Sequence, residues 1–117
     1  MPVIVYGLKN CDTCKRALKD LVAAHVVHRF VDIREETDLA RAVPAWIEAA
    51  GAEALTNTRS TTWRNLDDEE KRIARDDPAG LMIAHPTLIK RPVCETPQGV
   101  FVGWSPEARR SVLASAD

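Results

Sequence analysis

No stretch of this 117-residue sequence stays apolar for long. Its longest apolar segment, Val3–Tyr6 with its flanks, is far too short to cross a bilayer. That segment also lacks the basic start and small-residue cleavage site of a signal peptide. No sign of charge dominates: 16 Lys and Arg against 17 Asp and Glu leave a net charge of −1. No Lys/Arg run offers a stripe for nucleic acid. Cysteine is scarce and odd in number, three in all, which argues against a disulfide framework. Internal repeats and low-complexity linkers are missing as well. What is present is an ordinary globular composition, 45% hydrophobic and 28% charged, at a length that suits one domain over residues 1–117 with one core. The expectation is a cytoplasmic monomer in a reducing compartment, with no membrane and no direct nucleic-acid partner.

Two of the three cysteines stand together. Cys11 and Cys14 form a C-x-x-C motif that follows the apolar run Pro2–Leu8 and opens an amphipathic stretch, Asp12–His25. A cysteine where a strand turns into a helix faces unpaired N–H groups and the positive end of the helix dipole, both of which favour a thiolate. The spacing puts Cys14 one helical turn from Cys11, so the two sulfurs can meet. In a chain without an export signal, such a pair beside a βαβ pattern reads as a redox motif.

The periodicity supplies that pattern. Pro2–Tyr6 is a β-branched run expected of a central strand buried on both faces, ended by Gly7 and Asn10. Ala17, Leu18, Leu21 and Val22 fall at helical spacing. Val27–Ile33 reads as a second strand, parallel to the first because a helix joins them. Leu39–Ala50 is helical, with Trp46 at core spacing and Pro44 either marking a start near Val43 or kinking the helix. Leu55–Leu66 reads as an ordered loop that Trp63 packs down. Asp67-x-x-Glu70 resembles a capping box, so the acidic run Asp67–Glu70 is a helix start and not a metal site. Asp77-Pro78 caps another helix ending by His85. Pro92–Thr96 and Val100–Gly103 flank a Pro-Gln-Gly turn, and Ser105-Pro106-Glu107 opens a last helix. The order β-α-β, a helical insertion over about 37–85, then β-β-α is the thioredoxin plan: an α/β fold on a four-stranded mixed sheet.

Four blocks carry a more specific signal: Tyr6-Gly7-x-Lys9-Asn10-Cys11-Asp12-Thr13, Asn57-Thr58-Arg59, Thr61-Thr62-Trp63-Arg64 and His85-Pro86-x-Leu88-Ile89-Lys90-Arg91-Pro92. Together, over about Val3 to Ala108, they resemble the arsenate reductase–Spx family, and within it the YffB-like branch. The resemblance implies a thioredoxin-like domain with Cys11 as nucleophile, and Asn10, Arg59, Arg91 and Pro92 as substrate- or anion-binding residues. It implies a cis Arg91-Pro92 peptide bordering the site. No tightly bound cofactor is implied; glutathione or a protein disulfide is the expected co-substrate. The sequence departs from the family's arsenate reductases in one place, since Trp104 stands where they carry a third arginine. Trp104 is therefore expected at the site rim, and Trp104→Arg to restore arsenate activity. Spx-type regulators share a second cysteine at the Cys14 position and use the pair as a switch.

The electrostatics set a requirement. Moving a thiol from about 8.5 to below 7 takes roughly 2 kcal/mol. A surface helix terminus supplies about 0.3–1 kcal/mol. A nearby cation is needed, Arg91 by resemblance and Lys9 as a possible addition. Cys94 reads as a packed core thiol, since its strand position shares the face of Pro92. A zinc site is set aside because no second close-spaced ligand pair exists, and His25, His28 and His85 are scattered. Two functions follow. One is a glutathione-dependent thiol-disulfide reductase with Cys14 as resolving thiol. The alternative is a Spx-like redox sensor that binds an RNA polymerase subunit, or a weak arsenate reductase. The chain stops soon after the last core helix, leaving no long arm for a partner, which favours the enzyme.

Overall fold

The computed structural model describes residues 2–115. They fall into two compact units, Met1–Thr37 with Arg91–Asp117, and Asp38–Lys90. The first holds the sheet. β1 (Val3–Gly7) lies between β2 (His28–Asp32) and β3 (Val93–Thr96), and β4 (Gly99–Val102) takes the far edge, giving the order β2-β1-β3-β4. β1 and β2 run parallel, while β1/β3 and β3/β4 are antiparallel. With α1 (Asp12–Ala23) between β1 and β2 and α7 (Pro106–Ser115) after β4, this is a mixed thioredoxin-like sheet.

The alternation of β1 decides where α1 and α7 pack. Val3, Val5 and Gly7 are buried on one face, where Ala17 and Leu21 of α1, Cys94 of β3, Trp104 and Val112 of α7 close a core. Fully burying each large aliphatic there is worth roughly 1.5–3 kcal/mol. Ile4 and Tyr6, on the opposite face, stay half-buried. The double burial expected of this strand is thus incomplete, although β1 is central.

Helix ends follow local chemistry. α1 closes on His25, the one non-glycine residue with a left-handed backbone (φ 57°) among those described. The Val26 N–H reaches the Leu21 carbonyl at 3.0 Å and the His25 N–H reaches Val22 at 3.1 Å. This pattern satisfies carbonyls that the last turn leaves open.

The Asp38–Lys90 unit is helical. α2 (Leu39–Ala50) buries Val43 and Trp46 and starts at Leu39, so it runs through Pro44 instead of beginning near Val43. α3 (Ala52–Leu55) follows Gly51, whose φ of 92° turns the chain. The segment expected as a loop holds a turn of helix, α4 (Thr61–Arg64), because the Ser60 hydroxyl accepts the Trp63 N–H at 3.1 Å. The loop reading missed it because four residues are too few to show periodicity. Thr56 forms an isolated bridge to Ile89. α5 (Asp68–Asp76) opens on a complete capping box, Asp67 to the Glu70 N–H and Glu70 back to the Asp67 N–H. α6 (Pro78–Ala84) has Asp77 as N-cap on the Gly80 N–H and ends at His85. No helix among the described residues is long and apolar enough to cross a membrane.

Candidate active site at the start of helix α1

Leu8, Lys9 and Asn10 carry the chain from the end of β1 to Cys11, which is the N-cap of α1 with an extended backbone. Its N–H returns to the Leu8 carbonyl at 3.2 Å and its carbonyl accepts from Lys15 at 3.0 Å. Cys11 is partly exposed, whereas Cys14 is buried, and both are free thiols. Gly7 makes room for Cys14: a Cβ on Gly7 would lie 2.5 Å from the Cys14 sulfur. Only glycine permits that approach.

The two sulfurs have opposite preferences. Partial desolvation disfavours the Cys11 thiolate. The main-chain N–H of Cys14, the Cys14 thiol and the Arg91 guanidinium outweigh it and hold Cys11 below its ordinary value. Burial pushes Cys14 up to about 12, and the negative Cys11 sulfur adds to this, against the pull of the Leu8 main chain and Arg91. One helix start thus holds a cysteine whose thiolate is favoured and, beneath it, a buried thiol whose ionisation is disfavoured.

Of the residues expected here, the structure brings together Cys11, Cys14 and Arg91. Arg91-Pro92 is a cis peptide, with Pro92 buried. Asn10 is exposed in the turn before Cys11. Arg59 belongs to the Asp38–Lys90 unit, exposed, its N–H on Asn57 Oδ1 at 3.1 Å. Lys9, expected as an extra cation for Cys11, acts on Asp32, whose carboxyl is held low first by the Glu35 N–H and then by Arg34. Cys94 is fully buried and pushed up to about 12 by that burial, with the negative form of Cys14 adding to it. It is a core thiol, as its strand position indicated.

Trp104 is not at a site rim. It is 6% exposed, packs in the core with Val3, Val5 and Cys94, and its Nε1–H donates to Asp20 Oδ2 at 2.8 Å. Asp20 is nine residues after Cys11, about 13 Å along the axis of α1. The Trp104 N–H, and then Arg109 at 3.1 Å, hold the Asp20 carboxyl low against its own desolvation. Sequence reasoning missed this triad and the role of Gly7. Gly7 had read as a strand breaker, and its position just before the C-x-x-C turn was the available signal. Among the described residues no three His, Cys, Asp or Glu side chains gather as a metal-binding group.

The model of the ArsC family matches residues 6–112. The chain belongs to the ArsC family. An uncharacterised protein of Haemophilus influenzae is 36% identical over 114 residues, covering 96% of this chain and 99% of its own. The solved structure of a YFFB protein superposes with a TM-score of 0.85 at 33% identity, over 95% of this chain and 98% of that one. An arsenate reductase (ArsC) related protein from Brucella melitensis gives a TM-score of 0.76 at 31% identity, over 95% and 93%. More distant is the global transcriptional regulator Spx 2 of Bacillus cereus, 23% identical over 118 residues, 95% of this chain and 86% of its own. Membership of the ArsC family, with arsenate reductase-related neighbours, supports a redox enzyme class.

Proposed function

We propose that this ArsC-family protein is a cytoplasmic thiol-disulfide reductase that draws its electrons from glutathione. The observation that carries the reading is the pairing of a low Cys11 with a high Cys14 one helical turn apart. The Cys11 thiolate attacks one sulfur of a substrate disulfide; a bond forms between them, and the other substrate sulfur leaves as a thiolate. Cys11 is then neutral, so its negative charge no longer opposes ionisation of Cys14, while the pull of Arg91 and the Leu8 main chain remains. Cys14 loses its proton more readily at this point than in the resting protein. It attacks Cys11, forms a Cys11–Cys14 disulfide and expels the second substrate thiolate. One glutathione thiolate opens that disulfide and a second removes the first as oxidised glutathione, returning two electrons to the cysteines. Glutathione can also resolve the mixed disulfide directly. Arg91 holds an anionic group of the substrate, such as a glutathione carboxylate, by bidentate contact; Arg59 takes the same role on the family likeness.

The test is glutathione-dependent reduction of a small disulfide such as hydroxyethyl disulfide, coupled to glutathione reductase. The wild-type chain turns over and Cys11→Ser does not. Cys14→Ala incubated with oxidised glutathione accumulates one glutathionyl group on Cys11, read by mass spectrometry, where the wild type goes on to an internal disulfide. Turnover that survives Cys11→Ser sinks the proposal.

The Spx 2 likeness favours a second reading, a redox-sensing regulator that binds an RNA polymerase subunit. Recovery of polymerase with the chain from oxidised cells but not reduced ones, without turnover of any disulfide, would reverse the order of the two.

A further inference from the structure

The Asp38–Lys90 unit carries within itself a cavity of about 770 Å³ that the thiol chemistry does not use. This is the size of a small-molecule site. Trp63 of α4, Lys71, Ala74 and Arg75 of α5, and Glu53 and Thr58 beside them supply its chemistry.

Three features point to one class of ligand. Lys71 and Arg75 lie four residues apart on a nine-residue helix, so they share the face on which Ala74 leaves space. Like charges at that spacing repel, and two of the four acids of α5 have other partners: Glu69 pairs with Arg72, and Glu70 serves the capping box and His85. Among the described residues no carboxylate stands within ion-pair range of Lys71 or Arg75, and Glu53 is the single acid in the lining. The cavity therefore carries a surplus of positive charge. Trp63, in contrast to the buried Trp46 and Trp104, is half-exposed, and the Lys71 ammonium stands 5.7 Å from the centre of its ring. A flat aromatic face and two cations meet at one opening.

We propose that this cavity binds a small organic anion built on a planar ring. The ring lies against the Trp63 indole, and a carboxylate or phosphate on it is held by Lys71 and Arg75. Glu53 keeps the anionic end on the α5 side.

The experiment is a titration of the full chain, read at the Trp63 indole N–H by NMR and identified by its loss in Trp63→Phe. Naphthoate and adenosine monophosphate serve as carboxylate and phosphate probes, and naphthylmethanol as the neutral ring. At least one anionic probe is expected to give a saturable shift, with an affinity about tenfold above the neutral ring. Lys71→Gln and Arg75→Gln are each expected to weaken it about fivefold. The stronger anionic probe tells a carboxylate source from a phosphate source. Unmoved Trp46 and Trp104 signals report that the variants keep the fold. Neutral and anionic probes binding alike, unchanged affinity in both variants, or no saturation by any probe to its solubility limit would each overturn the proposal.

Discussion

Cys11 owes its low value to neighbours supplied by different parts of the chain. Cys14 contributes through local spacing, because three positions along a helix start bring its N–H and thiol towards the Cys11 sulfur. Arg91 comes from 80 positions later, at the cis peptide before β3. The helix end alone is worth about 0.3–1 kcal/mol, so removing the guanidinium should be felt. In Arg91→Ala the midpoint of alkylation rate against pH is expected above that of the wild type, and the rate at neutral pH below it. The sign follows from which form Arg91 favours: a cation stabilises the thiolate, and without it more alkali is needed to form the nucleophile. Iodoacetamide labelling of Cys11 in a Cys14→Ala, Cys94→Ala background, with and without Arg91→Ala, measures it. An unmoved midpoint removes Arg91 from the site. The C-x-x-C pair was legible in the sequence because spacing and helix polarity are local. The gap that a bare helix terminus leaves was legible too, as an energy to be supplied. Lys9 could not be placed, because the turn before Cys11 carries it to Asp32, a partner set by the register of β1 on β2.

At the scale of elements, caps announced themselves and tertiary terminations did not. Asp67-x-x-Glu70 and Asp77-Pro78 proved to be helix starts because each cap satisfies N–H groups within three residues of itself. The single turn at Thr61–Arg64 and the end of α1 left weaker traces. His25 is neither glycine nor asparagine, yet it takes the left-handed position that closes α1, since the carbonyls of Leu21 and Val22 need donors there. A left-handed L-residue costs roughly 1–2 kcal/mol, and glycine loses roughly 0.5–1 kcal/mol more backbone entropy on folding. The difference favours His25→Gly by about 0.5–1 kcal/mol. His25 is exposed and its side chain is not needed for packing. Thermal denaturation is expected to show a rise of a few degrees in Tm. An equal or lower Tm means that His25 makes a compensating contact through its ring.

At the scale of the whole molecule, the chain order β-α-β, helical insertion, β-β-α followed from periodicity and turn signals, whereas the destination of a single large side chain did not. Trp104 stands at the sequence position of a family arginine, and alignment suggested a place beside Cys11. Its partner is Asp20, 84 positions away, and its indole is buried among Val3, Val5, Ala17 and Leu21. Only the packing of α1 and α7 on one face of the sheet reveals this, because a Trp after a strand carries no mark of which neighbour will take its N–H. The correction changes the expected outcome for Trp104→Arg. A guanidinium put there would meet Asp20, already paired with Arg109, and not the thiolate. It would also forfeit the indole packing. Truncating a buried Trp to Ala typically costs about 3–5 kcal/mol, and a charge in the same core is no gentler. Trp104→Arg is therefore expected to lower stability by about 3 kcal/mol in urea denaturation and to gain no arsenate turnover in a glutathione–glutaredoxin coupled assay. Arsenate is expected to be a poor substrate for the wild type as well. Arg91 is the one cation in direct touch with Cys11 among those that set its ionisation, and a compact multiply charged oxyanion repels a thiolate unless it is neutralised on several sides. A neutral disulfide sulfur carries no such repulsion. Arsenate turnover by the wild type that disappears in Cys11→Ser would show that the cation inventory around this cysteine suffices, and would move the activity from disulfides to oxyanions.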